Sequence, residues 1–143
     1  MSAVGAFIKV PSPTGTVALD SWPGYLCAVL VDYQAGGLVA FLGHLASAFT
    51  AGFPLGLPMH SAVALEMSLC AWTFGWVAKK LGLVPAMIVA IILNGVAAPA
   101  AMIPWLGTGF FAAMLVPLTG ASAINVVVAV LVFKAGPFGR SRS

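Results

Sequence analysis

The chain has 143 residues, of which 62% are hydrophobic and 6% charged, with a mean hydropathy of +1.10 and a formal net charge of +3. Soluble domains carry about 45–50% apolar and about 25% charged residues, so a water-soluble fold is excluded and an integral membrane protein is expected. At about 20 residues per crossing, the length holds about six helices with short connections and no second domain, so residues 1–143 read as one transmembrane unit. The few cations form no nucleic-acid-binding run, and Cys27 and Cys70 lie in apolar stretches without metal or redox spacing, as small core residues do.

Turn residues mark where the apolar runs break. Met1 to Val10 is apolar but stops at Pro11, and about ten residues rise only about 15 Å as a helix, half a crossing. This first helix is expected to be truncated. PSPTGTVALDSWPG, Pro11 to Gly24, reads as a polar loop. A short second span begins around Pro23 and runs through YLCAVLV to Asp32; the third covers about Ala35 to Ala51. HSAVALEMSLCAWTFGWVA, from His60, is the fourth, stopped by Lys79 and Lys80. Pro85 suits the first turn of the fifth, AMIVAIILNGVAAPAAMIPWL, which is expected to bend at Pro99. The sixth, Phe110 to Phe133, is expected to bend near Pro117 and closes at Lys134.

Cytoplasmic loops retain Lys and Arg. Lys79 and Lys80 follow span four, while Lys134, Arg140 and Arg142 follow span six, so two crossings separate them and they share a side, with Lys9 alone opposite. This predicts a multi-pass protein of the cell membrane with both termini cytoplasmic and Asp32 inside. Asp20 and the stretches Pro11 to Gly24, Gly52 to Met59 and Pro104 to Phe111 then lie outside.

The rare polar residues now acquire depths. His44 sits about seven residues below the outer end of span three and Glu66 six residues past His60, so both reach about 10 Å into the membrane. Ionisable groups at that depth face a cavity or a partner, not lipid. Asn94 lies deeper, and Asn125 falls in the cytoplasmic half. With the rigid turn AGFPLGLP between the histidines, a pocket opening outward is expected, with His44 opposite Glu66 and His60 at the rim. The plainer alternative is a His44–Glu66 pair inside the bundle. A metal held by His44, His60 and Glu66 would lack any close-spaced ligand motif, and neither metal nor cofactor is expected. No nucleophile elbow, phosphate loop or paired-aspartate motif occurs, so no enzymatic activity is expected.

Small residues four apart are candidates for close helix packing. Ser2 with Ala6 and Gly36 with Ala40 fit that pattern; Gly43 with Ser47, Gly95 with Pro99 and Gly120 with Ile124 approach it. Packing within the bundle accounts for most of them.

Three blocks, SAVGAFIKVPSPTGTVALDSWPGYL, GHLASAFTAGFPLGLPMH and ILNGVAAPAAMIPWLG, resemble in order the substrate-binding S components of energy-coupling factor (ECF) transporters. The resemblance implies a compact bundle of six transmembrane helices that binds a vitamin or vitamin precursor at its outer side, docks on a transmembrane T component driven by two ATPase subunits, and topples to release its cargo. It implies that the first outer loop closes over the ligand while those after spans three and five line the pocket. Ser2 and Ala6 match the docking motif of the family's first helix, of which one to two further upstream turns are expected. IKVPSPTGTVALDS with GFPLGLPMH is most similar to members assigned to alpha-ribazole, a cobalamin precursor. For such a nucleoside, Trp22, Phe53 and Trp105 are candidates to stack on the base, and Ser12, Thr14, Asp20, His44 and Asn94 to satisfy hydroxyls, with His60 and Glu66 also at the site. Pantothenate, biotin or riboflavin are alternative cargoes. A small self-sufficient transporter and a ligand-free structural subunit are the readings from other classes.

Overall fold

The computed structural model describes residues 9–12 and 15–137, so Ser2, Ala6, Thr14, Arg140 and Arg142 lie outside the described residues. Strand β1 (Lys9–Ser12) pairs antiparallel with β2 (Gly15–Ala18), with Lys9 opposite Ala18 and Ser12 opposite Gly15. The first helix was expected to reach Val10, and here the structure differs. Val10 precedes a proline, which pushes it from helical to extended backbone, and Val17 stands opposite it. Pro11 is tolerated because both strands of a two-stranded ribbon are edges.

Helix α1 (Trp22–Leu30) follows directly, with Pro23 in its first turn. The stretch expected as an outer loop, Pro11 to Gly24, is therefore a hairpin and the start of a helix. Nine residues rise about 13–14 Å, so α1 is half a crossing. Asp32 then caps α2 (Tyr33–Thr50), its carboxylate accepting from the Ala35 N–H at 2.7 Å.

After a tight turn comes α3 (Leu57–Leu81), which Pro58 opens and Gly82 ends at φ +93°. Helix α4 (Leu83–Ile92) continues through a π-helical turn (Leu93–Ala97) into the short α5 (Ala98–Ala101). Helix α6 (Ile103–Ala135) completes the bundle, broken only at Gly107, whose φ of +78° suits a residue without Cβ. Pro104 to Phe111, expected as a loop, is thus helical apart from that kink. Among the described residues, three helical stretches are long and apolar enough to cross a membrane: Leu57–Leu81, Leu83–Ala101 and Ile103–Ala135. Leu65, Leu69, Ile88 and Val116, among others, are exposed on their outer faces, as lipid contact requires.

The core lies where α1 meets its neighbours α2, α3 and α6. Tyr25 and Phe74 are fully buried there, edge to face at 5.2 Å. Backbones approach through small residues: a Cβ on Gly24 would stand 2.7 Å from that of Ala40, one on Gly36 would overlap Ala28, and one on Gly75 would meet the Ala28 carbonyl oxygen at 2.8 Å. The Gly36 and Ala40 pair is thereby used inside the bundle. Cys70 is buried in the same core.

Candidate functional site

The α2–α3 turn and the α5–α6 junction share one end of the bundle, and there the helices part around a cavity of about 170 Å³. Lys79 and Lys80 in the last turn of α3, and Lys134 in the last turn of α6, stand at the opposite end. The turn is rigid: Gly52 and Phe53 have positive φ, the Phe53 N–H bonds back to the Ala48 carbonyl at 2.9 Å, and Pro54 and Leu55 face the cavity.

His60, the fourth residue of α3, is 9% exposed and lines the cavity beside the turn residues Pro54 and Leu55. Its Nδ1 lies 3.3 Å from His44 Nε2, and the Leu55 N–H points at its Nε2 at 3.5 Å. The tautomer sets which ring donates in the His44–His60 bond. His44 Nδ1 stands 4.0 Å from Asp20 Oδ2. The two imidazoles thus form a relay of contacts from the turn backbone to one carboxylate. His44 lines the same cavity as Glu66, but its nitrogens face His60 and Asp20, so the plainer alternative of a His44–Glu66 pair is not formed.

Asp20, between β2 and α1 and outside the long helices, is 5% exposed where a solvent-facing loop residue was expected. Burial raises its carboxyl from 3.8 to about 6, against the opposing pull of a hydrogen bond with Ser47. It reaches this depth because α1 starts inside the bundle. The Trp22 N–H, one of the unpaired donors of a helix start, donates to Asn125 Oδ1 at 2.9 Å, and Asn125 Nδ2 donates to the Ala121 carbonyl at 2.9 Å. Asn125 lines the cavity and anchors α1, so its assignment away from the pocket is corrected.

Asn94 is set into the wall by the π turn. Pro99 has no N–H to offer the Gly95 carbonyl four residues back; the Thr119 hydroxyl donates to it instead at 3.3 Å, and the Ala98 N–H reaches the Leu93 carbonyl. Gly95 is required there, since a Cβ would stand 2.7 Å from the Thr119 Cα. Such π turns recur at functional sites. Glu66, half-buried on α3, completes the polar lining, and Met67, Met114, Phe110 and Leu118 supply apolar walls.

Of the residues singled out by sequence, Asp20, His44, His60, Glu66 and Asn94 converge on this cavity. Ser12 lies in β1, with its side chain outside the described residues. Trp22 packs against the core, Phe53 stacks edge-on to His60 at 5.7 Å behind the lining, and Trp105 is 69% exposed beside a separate shallow groove with Pro58 and Met59. Ser47 and Asn125 line the cavity and were missed as site residues; Ser47, one turn from His44, was the more legible. No three His, Cys, Asp or Glu side chains among the described residues are grouped to hold a metal ion, and the two nitrogens of His44 face different partners.

No family model matches the chain, and no curated protein or solved structure matches it.

Proposed function

We propose that the chain is the substrate-binding S component of an ECF-type importer, capturing a vitamin or vitamin precursor in the cavity at the outer face of the cell membrane. One observation carries the reading: scattered polar residues of an apolar chain converge on one cavity, which lies toward the end of the bundle away from Lys79, Lys80 and Lys134, with close-packed helices beyond it. Apolar walls with a few placed polar groups suit the capture of a small molecule. The end bearing Lys79, Lys80 and Lys134 is then cytoplasmic, as are both termini. On this reading α1 and α2 are the second and third of six spans, a transmembrane T component and two ATPase subunits drive import, and Ser2 and Ala6 serve docking.

The preferred cargo is alpha-ribazole, whose flat base and ribose hydroxyls suit apolar walls with a few placed polar groups. Thermal unfolding and native mass spectrometry of the purified protein with alpha-ribazole, riboflavin, biotin and pantothenate test the assignment. Alpha-ribazole is expected to bind and raise Tm. Binding of another vitamin alone would replace the cargo and leave the capture role. If no vitamin or precursor binds, the role itself fails, as it does if the protein alone, without ATPases, transports solute in vesicles.

A further inference from the structure

Among the described residues the cavity lining holds two carboxylates, Asp20 and Glu66, two carboxamides, Asn94 and Asn125, and neither Lys nor Arg. Asn125 is consumed by Trp22 and Ala121, and Asp20 receives the histidine relay. Among the described residues no hydrogen bond or ion pair engages the Glu66 carboxylate or the Asn94 carboxamide. A carboxylate left without partners in an apolar wall is costly, and a ligand that donates hydrogen bonds to it relieves that cost.

We infer that the cavity selects an uncharged or cationic ligand that presents N–H or O–H donors to Glu66, and that it rejects molecules bearing phosphate or carboxylate. The inference rests on the capture role proposed above and narrows it to a charge class. An anionic group entering here meets Asp20 and Glu66 with no Lys or Arg beside them among the described residues. The two histidine rings contact each other at 3.3 Å and His44 Nδ1 faces Asp20 at 4.0 Å, so neither stands free as a counter-charge beside Glu66. Lys79, Lys80 and Lys134 are at the other end of the bundle, and the Lys9 side chain lies outside the described residues. At an effective dielectric of about 20, a like charge about 6 Å away weakens binding about 100-fold, and burial sharpens the effect. Asn94, offering donor and acceptor together, suits the same kind of ligand by bonding a hydroxyl or ring nitrogen either way. Among vitamin cargoes this favours nucleosides and riboflavin over biotin and pantothenate, which carry carboxylates.

The test compares alpha-ribazole with its phosphomonoester, and riboflavin with biotin, by calorimetry on the purified full-length protein at pH 7.5. The uncharged member of whichever pair binds is expected to bind at least about 100-fold more tightly. Glu66→Gln keeps the shape and removes the charge; it is expected to narrow that ratio about tenfold or more, a change that a merely structural role would not produce. A phosphomonoester or biotin that binds as tightly as its uncharged counterpart overturns the charge selection and leaves the capture role standing. An unchanged ratio in Glu66→Gln removes Glu66 as its source. Absence of binding by all four compounds removes the capture role, and this inference with it. Should Glu66→Gln fail to fold, the wild-type ratios decide.

Discussion

The inward faces of α2 and α3 are tightly packed at one end, where α1 lies against both, and line the cavity at the other, and residue size along one face of each helix accounts for both. On α2 that face reads Gly36, Ala40, His44, Ser47, Ala51, at spacings of three and four. On α3 it reads Gly75, Ala71, Met67, Ala64, His60 in the antiparallel direction. Glycine and alanine let both helices approach α1 closely, Gly36 and Gly75 at Ala28 and Ala40 at Gly24, while the imidazoles and Met67 line the cavity nearer the turn. The same two helices thus contribute to a close-packed base and to a cavity, and the two ends should respond differently to the same chemistry.

Truncating one aromatic at each end breaks the comparison most sharply. Phe74 is fully buried in the closed end, so Phe74→Ala is expected to cost about 3–5 kcal/mol, with a corresponding fall in unfolding temperature. Phe110 is half-buried on the cavity wall, and Phe110→Ala is expected to cost under about 1 kcal/mol while weakening ligand binding. Equal losses of stability at both sites would show that the open end is packed as tightly as the base.

The next effect is one of pH. Asp20 binds its proton more tightly folded than unfolded, with its pKa raised from 3.8 to about 6, so its contribution favours the fold at low pH and is lost as pH rises through about 6. The difference amounts to about 3 kcal/mol at most. His44, His60 and Glu66 face the same space and titrate as well, so the measurement is the difference between native protein and Asp20→Asn. Unfolding temperature should fall more steeply from pH 4 to pH 7 in the native protein than in Asp20→Asn. Parallel curves would mean that Asp20 is not buried as described.

Asn125 and His44 sharpen the contrast between floor and wall. Asn125→Ala orphans the Trp22 N–H and is expected to cost about 1–3 kcal/mol of stability. His44→Ala interrupts the relay at its middle, and is expected to weaken ligand binding about 10-fold or more with little change in unfolding temperature. The reverse pattern, with Asn125 governing affinity and His44 governing stability, would exchange the roles of floor and wall.

Residue pattern made some of this legible and left the rest hidden, for physical reasons. The long helices announce themselves because prolines, glycines and lysines bound apolar runs, and Lys79, Lys80 and Lys134 indicate that α3 and α6 end on one side. His44, Glu66 and Asn94 were legible because a polar side chain deep in an apolar run needs a reason to be there. The pairing was not. Depths counted along each helix placed His44 level with Glu66, but a contact depends on rotation about the axis and on side-chain reach, and Asp20 enters from α1, whose start inside the bundle no local pattern marks. The hairpin was hidden by composition: IKVP reads as apolar helix until Pro11 constrains Val10.

The smallest effect expected tests the closed end from within. The Tyr25 and Ser122 hydroxyls are both buried there and face each other, too loosely for a well-formed hydrogen bond, and the Tyr25 ring is held by Phe74. A loose contact offsets only part of the desolvation of two buried hydroxyls, so Tyr25→Phe is expected to change stability by less than about 1 kcal/mol in either direction. Where a tyrosine hydroxyl is fully satisfied, the same exchange costs about 1 kcal/mol or more. The size of this one change therefore separates a base held mainly by shape from one held by a polar contact. A loss above about 1 kcal/mol in Tyr25→Phe would show that the Tyr25–Ser122 contact is a full hydrogen bond.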